Sequence, residues 1–279
     1  MPDDVRVTLQ RQAAEIRKDI VRMTAAAGSS HVGSALSIVE ILVALYFGVM
    51  RLDPRNPDWA DRDRFILSKG HAATALYATL AARGFFPRTG LEGYYVNGGG
   101  LAGHPVRGGA PGIEASTGSL GHGLSIGVGM ALAAKRDAKT HRVFVLLGDG
   151  ECNEGSVWEA TMCASHHGLD NLVIVVDRNG LQGLGRTDHV VRLDSLAEKW
   201  RAFACETREA DGHDLEELLS VFETVPFAGG RPSVVIARTT KGMGVSFMEN
   251  QLAWHYKSPD KEQTAQALRE IEAHAHHLH

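Results

Sequence analysis

The sequence has few cysteines, no long apolar run and no excess of charge of one sign. None of its three cysteines belongs to a CxxC pair, so it offers neither a disulfide framework nor a zinc motif. No apolar stretch approaches the roughly 20 residues that a membrane crossing needs. The 29 basic and 33 acidic residues give a net charge of −4. This balance provides no bulk argument for binding nucleic acid or an anionic membrane.

The first residues, MPDDVRVTLQ, lack the basic and apolar regions of a signal peptide. We therefore expect a cytoplasmic protein. The length of 279 residues suits a single large α/β domain, residues 1–279, and an apolar content of 44% permits a substantial core. From about residue 263 we expect a flexible tail that forms a solvated, frayed helix rather than a metal site. Its histidines are His274, His276, His277 and His279.

Two apolar runs near the middle of the chain are each followed by polar residues. The run 143–147 precedes Gly148-Asp149-Gly150, and the run 172–176 precedes Asp177-Arg178-Asn179. Both runs predict buried parallel strands that are adjacent in the centre of a sheet, and residues 156–167 between them predict a helix. A right-handed crossover brings both strand ends to one edge, where open α/β sheets bind ligands. The chain is thus predicted to form a mainly parallel sheet flanked by helices on both faces.

The remaining periodicity is typical of the same α/β class. It predicts helices over 5–27, 37–49, 72–83, 120–135, 196–203 and 215–222, and strands over 65–68 and 233–237. The glycine-rich segment 98–112 is expected to be irregular.

Asp149 and Asn179 are expected to converge at the strand ends. Carboxylate and amide oxygens suit Mg²⁺, which completes its shell with phosphate oxygens and water. Gly148 and Gly150 let the backbone approach a phosphate without a Cβ in the way, and the following helix presents its N-terminal N–H groups there. The residues therefore suggest a metal-bridged diphosphate. The alternative is that Asp149 only caps the helix and Asn179 only makes a turn.

Six segments, in order along the chain, resemble the diphosphate-binding half of transketolase from about residue 12 to about residue 258. They are DRFILSKGHA, STGSLGHGLSIGVGMALA, GDGECNEGSVWEA, LDNLVIVVDRNGLQ, ADGHDLEELL and TKGMGVSFMEN with WHY. The resemblance implies a thiamine diphosphate-binding fold with thiamine diphosphate and Mg²⁺ as cofactors. It also implies transfer of a two-carbon ketol unit from a ketose phosphate to an aldose.

The resemblance also implies the cofactor contacts. The metal ligands would be Asp149, Asn179 and the backbone carbonyl of Leu181. Leu120 would be an apolar wedge under the aminopyrimidine, and Gly118 a backbone acceptor for its amine. The full set expected to bind the cofactor is Ser34, His71, Gly118, Ser119, Leu120, Gly148, Asp149, Gly150, Glu154, Asn179, Leu181, Lys241 and His255. Ser119 also suits a helix cap, and Lys241 alternatively is only a surface charge.

Four histidines stand in loop contexts beside small residues, in SSHVGS, SKGHA, AGHP and AWHY. By resemblance, His31 and His104 face the substrate, whereas His71 and His255 line the cofactor and the reacting centre. All four are expected to be catalytic, since imidazole titrates near neutrality and shuttles protons. Alternatively they are solvated loop residues; zinc binding remains open, although no two have HxxxH spacing.

Glu154 and Glu159 follow the GDG triplet closely. By resemblance they join a carboxylate network across a subunit interface, near the aminopyrimidine, with Glu154 among the catalytic residues. Desolvated carboxylates in such a network must share protons. The alternative is an exposed helix N-terminus, which favours acidic residues in any protein.

The resemblance covers only the diphosphate-binding domain, so it implies a partner chain. That chain would supply the pyrimidine-binding domain with the glutamate that activates the cofactor, in an α2β2 heterotetramer.

Several residues depart from the usual pattern: Val32, His122, Tyr256 and the loop 182–185. These departures put the ordinary pentose phosphates in doubt and favour a specialised pathway.

Two other functions remain open: a component of another thiamine diphosphate enzyme, such as a 2-oxoacid dehydrogenase or deoxyxylulose phosphate synthase, and a non-catalytic remnant. The segments SKGHA, GHP and WH favour transketolase.

Overall fold

The centre of the protein is a parallel five-stranded sheet. The structure is a computed structural model that describes residues 1–276, and for residues 275 and 276 it describes only the backbone. The strands along the chain are β1 Arg64–Leu67, β2 Val143–Gly148, β3 Leu172–Arg178, β4 Leu181–Gln182, β5 Gly185–Arg186, β6 Glu206–Asp211 and β7 Ser233–Arg238. The sheet order is β1-β2-β3-β7-β6, while β4 and β5 form a small antiparallel pair. Adjacent β2 and β3 confirm the predicted central pair.

Helices cover both faces of this sheet. They are α1 Asp3–Ala27, α2 Val32–Leu36, α3 Val39–Val43, α4 Ala73–Arg83, α5 His122–Arg136, α6 Gly155–His166, α7 Thr187–Val190, α8 Leu196–Ala202, α9 Leu215–Glu223 and α10 Lys261–His276. Helices α1–α4, α9 and α10 share one apolar core with the face that carries Phe144 and Leu146. Helices α5, α6 and α8 share the other core with Val145 and Leu147. The predicted α/β architecture is confirmed.

Several elements differ from the sequence prediction. The helix expected over 37–49 is divided into α2, α3 and a π-helical stretch, Ala44–Val49. Strands β4, β5 and β6 and the short helix α7 were not predicted.

The segment from about residue 263 is helical as expected, within helix α10, but it is packed rather than frayed and solvated. Its residues Ala267 and Ile271 are buried in the core shared with α1, so apolar packing orders this segment. His277 and His279 lie outside the described residues.

The strand ends place the loops that carry the candidate site. The chain leaves the sheet after each strand, and the segments that follow contain Lys69 after β1, Asp149 after β2, Asn179 after β3 and Lys241 after β7. All four segments emerge at the carboxyl edge because neighbouring strands are parallel. Within residues 1–276, no helix combines the length and apolarity that a membrane crossing requires.

Candidate active site

A cavity of about 500 Å³ lies at the carboxyl edge of the sheet. It brings together almost every residue predicted for the site. Its lining includes His31, Ser34, His71, His104, Gly118, Leu120, Gly148, Asp149, Gly150, Glu154, Asn179, Leu181, Lys241 and His255.

Ser119 is the exception among the predicted residues. Its side chain is exposed and it is not part of this lining. Helix α5 has Gly121 as its N-cap and no side-chain cap, so the capping role of Ser119 is wrong. Its cofactor contact stays a prediction.

The carboxylate of Asp149 is buried at the base of the cavity, with 3% of the residue exposed. Its Oδ1 accepts from the Gly150 N–H and its Oδ2 from the Gly180 N–H, both at 2.7 Å. Burial, followed by the charge of Asp177, raises the pKa of Asp149 to about 6. Asp149 does cap the short helix after it, so the capping and metal-binding interpretations are compatible. This buried carboxylate would gain from a bound cation.

The amide of Asn179 has a defined orientation because Asp177 lies beneath it. Asn179 Nδ2 donates to Asp177 Oδ2 at 2.8 Å. Its Oδ1 accepts from the Leu181 N–H at 3.0 Å, which is the turn expected as the alternative. Lys69 Nζ donates to the same Asp177 oxygen at 2.5 Å. Asp177 therefore holds the amide so that its oxygen stays on the side of Leu181 and away from the sheet.

Lys241 is a buried cation rather than a surface charge, since 1% of the residue is exposed. Its Nζ donates to the Leu181 carbonyl at 3.2 Å and to His255 Nδ1 at 2.9 Å. Burial, and then the charge of Lys69, lowers the pKa of Lys241 to about 8. Among residues 1–276, no carboxylate lies within ion-pair distance of its ammonium group. Lys241 is thus equipped to receive an anion.

The four predicted histidines form one cluster. Ring centroids lie 5.0 Å apart for His31 and His255, 5.1 Å for His31 and His71, and 6.3 Å for His31 and His104. His31 has a φ of 74°, a backbone conformation that costs energy outside glycine and is frequent at functional sites. Ser34 Oγ lies 2.9 Å from His71 Nε2. Loops from four separate parts of the chain therefore present imidazoles to one cavity.

Three of these imidazoles, those of His31, His71 and His255, have pKa values below the usual value and are neutral at physiological pH. Burial lowers the pKa of His31 to about 4, with further lowering by His104 and Lys241. Burial and Lys241 lower the pKa of His255 to about 3, and burial with Lys69 lowers that of His71. Because the Lys241 ammonium only donates, His255 Nδ1 must accept, and the His255 proton resides on Nε2. The cluster can therefore both donate to and accept from a bound oxygen.

Two glycines give the cavity its shape. Gly118 has a φ of 149°, and a Cβ there would lie 3.0 Å from His104 Cδ2. A Cβ on Gly150 would lie 2.7 Å from Gln182 Cγ. Both positions need glycine because the backbone passes close to neighbouring side chains. Leu120 lies beside Gly118 in the same wall.

The acidic residues after the GDG triplet fall into two groups. Glu151, which the sequence prediction missed, is buried and accepts from Ser68 Oγ, the Gly121 N–H and the Gly148 N–H. Its pKa is raised by burial. Glu154 is exposed at the rim of the cavity, and Glu159 is exposed outside its lining. The predicted carboxylate network across a subunit interface stays a prediction.

The site also contains Lys69 and Asp177, which the sequence analysis did not assign to it. Lys69 lines the cavity, and its Nζ donates to the Ser34 carbonyl at 3.0 Å as well as to Asp177. Both residues stand inside conspicuous motifs, SKGHA and DRN. A charged residue directly after a buried strand was the available signal for each.

The donor set fits a magnesium diphosphate. Asp149, Asn179 and the Leu181 carbonyl offer the oxygen ligands that Mg²⁺ prefers, and Lys241 offers a buried positive charge beside them. The Leu181 carbonyl would have to share its second lone pair, because Lys241 already uses the first. Among the described residues, no group of three or more His, Cys, Asp or Glu side chains is arranged to hold a metal ion. The proposed magnesium site includes only one such side chain.

Comparison with known proteins gives consistent matches. The family model of the transketolase thiamine diphosphate binding domain matches residues 9–276. One of the subunits of the apulose-4-phosphate transketolase of Phocaeicola vulgatus is 44% identical over 264 residues, covering 95% of this chain and 94% of that protein. The 6-deoxy-6-sulfo-D-fructose transketolase subunit SqwG of a Clostridium species is 42% identical over 266 residues, covering 95% and 97% respectively.

The fold is also similar to a solved transketolase, that of Campylobacter jejuni. The TM-score is 0.88 at 30% sequence identity, and the match covers 95% of this chain but 42% of that one. The chain therefore spans less than half the length of this solved relative, whereas it matches the two enzyme subunits almost from end to end.

Proposed function

The chain belongs to the family of transketolase thiamine diphosphate-binding domains, and on that premise we propose that it is the N-terminal subunit of a two-chain ketol transferase. Together with its partner it would transfer a two-carbon ketol unit from a ketose phosphate to an aldose. One observation carries the proposal: Asp149, Asn179, Lys241 and the histidine cluster line a single cavity at the carboxyl edge of the sheet.

Asp149, Asn179 and the Leu181 carbonyl would hold Mg²⁺, and the metal would bridge to the diphosphate. Lys241 would neutralise further phosphate charge, with the Ser34 hydroxyl and His71 beside it. Gly118 and Leu120 would line the place of the aminopyrimidine, with Glu154 at the rim. Within residues 1–276, Asp149 and Lys241 are buried charges without a close opposite partner, and their signs match a cation and an anion, which supports this assignment.

Thiamine diphosphate supplies a nucleophilic carbon and an electron sink for the pair released when a carbon–carbon bond breaks. The protein must hold the sugar and move protons at its oxygens. A neutral imidazole takes the proton of a donor hydroxyl that becomes a carbonyl when the carbon–carbon bond breaks, and it gives a proton to the acceptor's aldehyde oxygen when the new carbon–carbon bond forms there. We assign these tasks to His31 and His104, which would face the substrate, and to His255, whose Nε2–H is free to donate because Lys241 occupies Nδ1.

We infer that the activating glutamate comes from a partner chain with a pyrimidine-binding domain. Two relatives of nearly the same length carry subunit names, and the solved transketolase is more than twice as long. The purified single chain should then show little ketol transfer until the partner is added. The α2β2 assembly and the cytoplasmic location stay predictions.

We propose a specialised sugar as substrate rather than the ordinary pentose phosphates. The two relatives above act, by name, on apulose-4-phosphate and 6-deoxy-6-sulfo-D-fructose. Tyr256, one of the departures from the usual pattern, places its ring 4.8 Å from that of His255 and donates its hydroxyl to the Gly183 carbonyl at 2.9 Å. This placement beside a residue of the histidine cluster supports a role for Tyr256 in the choice of substrate. The rival thiamine diphosphate enzymes are less favoured because the family match is to transketolase.

Replacing the metal ligand tests the proposal most directly. Asp149→Ala should weaken Mg²⁺-dependent binding of thiamine diphosphate by more than about 100-fold, beyond the range seen for outer partners of metal ligands. Calorimetry on the full chain assembled with its partner measures this affinity. Asp137→Asn, at an exposed position after α5, is the matched control and should bind normally. Unchanged affinity in Asp149→Ala with a normal melting temperature would contradict the proposed site.

A further inference from the structure

Lys241 lies in a loop whose backbone is hydrogen-bonded on two sides. On the side of the catalytic cavity, the Gly242 N–H donates to the Gly33 carbonyl at 2.9 Å. On the opposite side, the Thr240 N–H donates to His213 Nε2 at 2.7 Å. The two peptide N–H groups that flank Lys241 in sequence are therefore both anchored. The anchor of Thr240 is a side chain, and it comes from the loop after β6.

His213 belongs to a polar cluster behind this loop, which we call the Arg17–Glu40–His213 cluster. Arg17 and Glu40 are each 7% exposed and form a bidentate ion pair, with N···O distances of 2.5 and 2.7 Å. His213 Nδ1 lies 3.0 Å from Glu40 Oε2. Arg17 Nε also donates to the Met243 carbonyl at 3.1 Å. The cluster thus contacts the backbone of the loop at two points, one on each side of Lys241.

The contacts determine which nitrogen of His213 carries the proton. A backbone N–H only donates, so Nε2 must accept from Thr240 and carry no proton. Nδ1 then carries the proton and donates it to Glu40. Burial alone would raise the pKa of Glu40, but Arg17 and His213 lower it to about 2, so the carboxylate is ionised and accepts. Glu40 selects the tautomer that the Thr240 contact needs.

The cluster has no direct access to the catalytic cavity. Arg17, Glu40 and His213 line a separate cavity of about 570 Å³, which Met243 and Gly244 also line. None of the three lines the cavity that contains Lys241. The backbone of the loop 240–243 contacts the cluster directly and carries Lys241, so it connects the cluster with the proposed diphosphate site.

We propose that Arg17, Glu40 and His213 are positioning residues that hold the loop 240–243 so that the Lys241 ammonium meets the diphosphate. This inference rests on the proposed function, because it needs Lys241 to bind the diphosphate. A lysine ammonium sits on a flexible stem of four carbons. Its location at Leu181 and His255 therefore depends on a well-held backbone. A shift of the Lys241 ammonium by even about 1 Å would weaken its contact with the diphosphate.

Two substitutions at one position separate the acceptor from the donor of His213. In His213→Gln the side-chain oxygen reaches the place of Nε2 and still accepts from the Thr240 N–H. In His213→Asn the shorter amide still donates to Glu40 but leaves the Thr240 N–H without an acceptor. The probes are thiamine diphosphate and thiamine, each with Mg²⁺, bound to the full chain assembled with its partner. Thiamine lacks the phosphates and so reports on the remainder of the site.

We expect His213→Asn to weaken thiamine diphosphate binding by about 10- to 100-fold, the range for outer partners of metal ligands, and to leave thiamine binding nearly unchanged. His213→Gln should restore most of the diphosphate affinity. A loss of general structure would lower both affinities together, and this result would overturn the inference. Equal affinities in His213→Asn and His213→Gln would also overturn it.

Lys241→Met distinguishes the inference from the function on which it rests. If the cluster acts through Lys241, adding His213→Asn to Lys241→Met should weaken diphosphate binding no further. Additive losses would overturn the inference while leaving the proposed function intact. Normal diphosphate affinity in Lys241→Met alone would remove Lys241 from the site, and the inference would fall with it.

Arg17→Lys provides a second variant in case His213→Asn does not fold. A lysine there keeps a positive charge for Glu40 but gives up the Arg17 Nε donor to the Met243 carbonyl. We expect Arg17→Lys to weaken the binding of thiamine diphosphate but not that of thiamine. An unchanged ratio of these two affinities would contradict the positioning role of the Arg17–Glu40–His213 cluster.

Discussion

Asp177→Asn is the most informative single change in the buried part of the site. The Asp177 carboxylate is fully buried and accepts from Ser37 Oγ at 2.8 Å, Lys69 Nζ at 2.5 Å and Asn179 Nδ2 at 2.8 Å. Thr239 Oγ1 also donates to it. Burial would raise the pKa of Asp177, but the charge and hydrogen bonds of Lys69 hold it below its usual value. The substitution keeps the shape of the side chain and removes its charge.

The magnitude follows from what remains after the charge is lost. Lys69, with 1% of the residue exposed, would keep a buried ammonium without its counter-ion. Removing one partner of a buried ion pair costs about 3–5 kcal/mol. The amide of the new asparagine would also direct N–H donors toward side chains that donate to Asp177 in the unmodified protein, so some of these donors would lose their acceptor. We therefore expect Asp177→Asn to lower the free energy of unfolding by about 4 kcal/mol.

Urea unfolding of Asp177→Asn, Lys69→Met and the double variant measures this contribution. Each single variant leaves a buried charge unpaired, whereas the double variant leaves none, so the two losses should not add. The coupling free energy should be at least about 2 kcal/mol. Asp170→Asn is the control, since its pair with Lys135 is partly exposed and should contribute at most about 1 kcal/mol. An additive cycle, or a loss in Asp177→Asn as small as in the control, would refute the reasoning.

Two further predictions concern the histidine cluster and the Glu40 carboxylate. His31→Ala and His255→Ala should each lower turnover by about 10²–10⁴-fold, the contribution of a positioned acid–base group, and shift cofactor affinity far less, because oxygen charge changes during bond cleavage. Steady-state kinetics measure the turnover of each variant, and cofactor titration measures its affinity for thiamine diphosphate. Near-normal turnover in either variant would show that the replaced histidine has only a structural role. Glu40 has a pKa lowered from 4.5 to about 2, so its stabilisation is complete above pH 4.5 and is lost as pH falls toward 2. The lowered pKa corresponds to a contribution on the order of 3 kcal/mol to the free energy of unfolding. Urea unfolding of Glu40→Gln between pH 2 and 5 should no longer show this loss of stability. The same pH dependence in Glu40→Gln as in the unmodified protein would contradict the prediction.

The apolar runs of β2 and β3 made the central sheet predictable. Uninterrupted valine, isoleucine and leucine residues are typical of strands buried on both faces, and in the structure both faces are indeed covered. The same pattern placed Asp149 and Asn179 at one edge. The histidines were predictable only through the resemblance, because no spacing rule relates residues as distant as His31 and His255.

Strand β6 and the burial of helix α10 were not predicted, because their local patterns are weak. Strand β6 has the sequence ETREAD and lies at the edge of the sheet, where only Thr207 and Ala210 are buried. Helix α10 has a polar sequence, and its buried residues Ala267 and Ile271 lie in the same core as α1. The stabilising neighbours are distant in sequence, so local propensity revealed neither strand β6 nor the packing of α10.

The α/β class, the two central strands and the polar residues at their ends could be predicted from local patterns, because strand and helix periodicities are local properties of the chain. The pairing of the buried charges depends instead on the folded arrangement. Lys69 meets Asp177 across 108 positions, and His213 meets Glu40 across 173. Such pairs arise when loops from separate strands meet at one edge, and they depend on distances that no window of sequence contains. In the part of the chain that the structure describes, the same convergence leaves Asp149 and Lys241 without close partners of opposite charge, which is why this edge of the sheet is suited to a magnesium diphosphate.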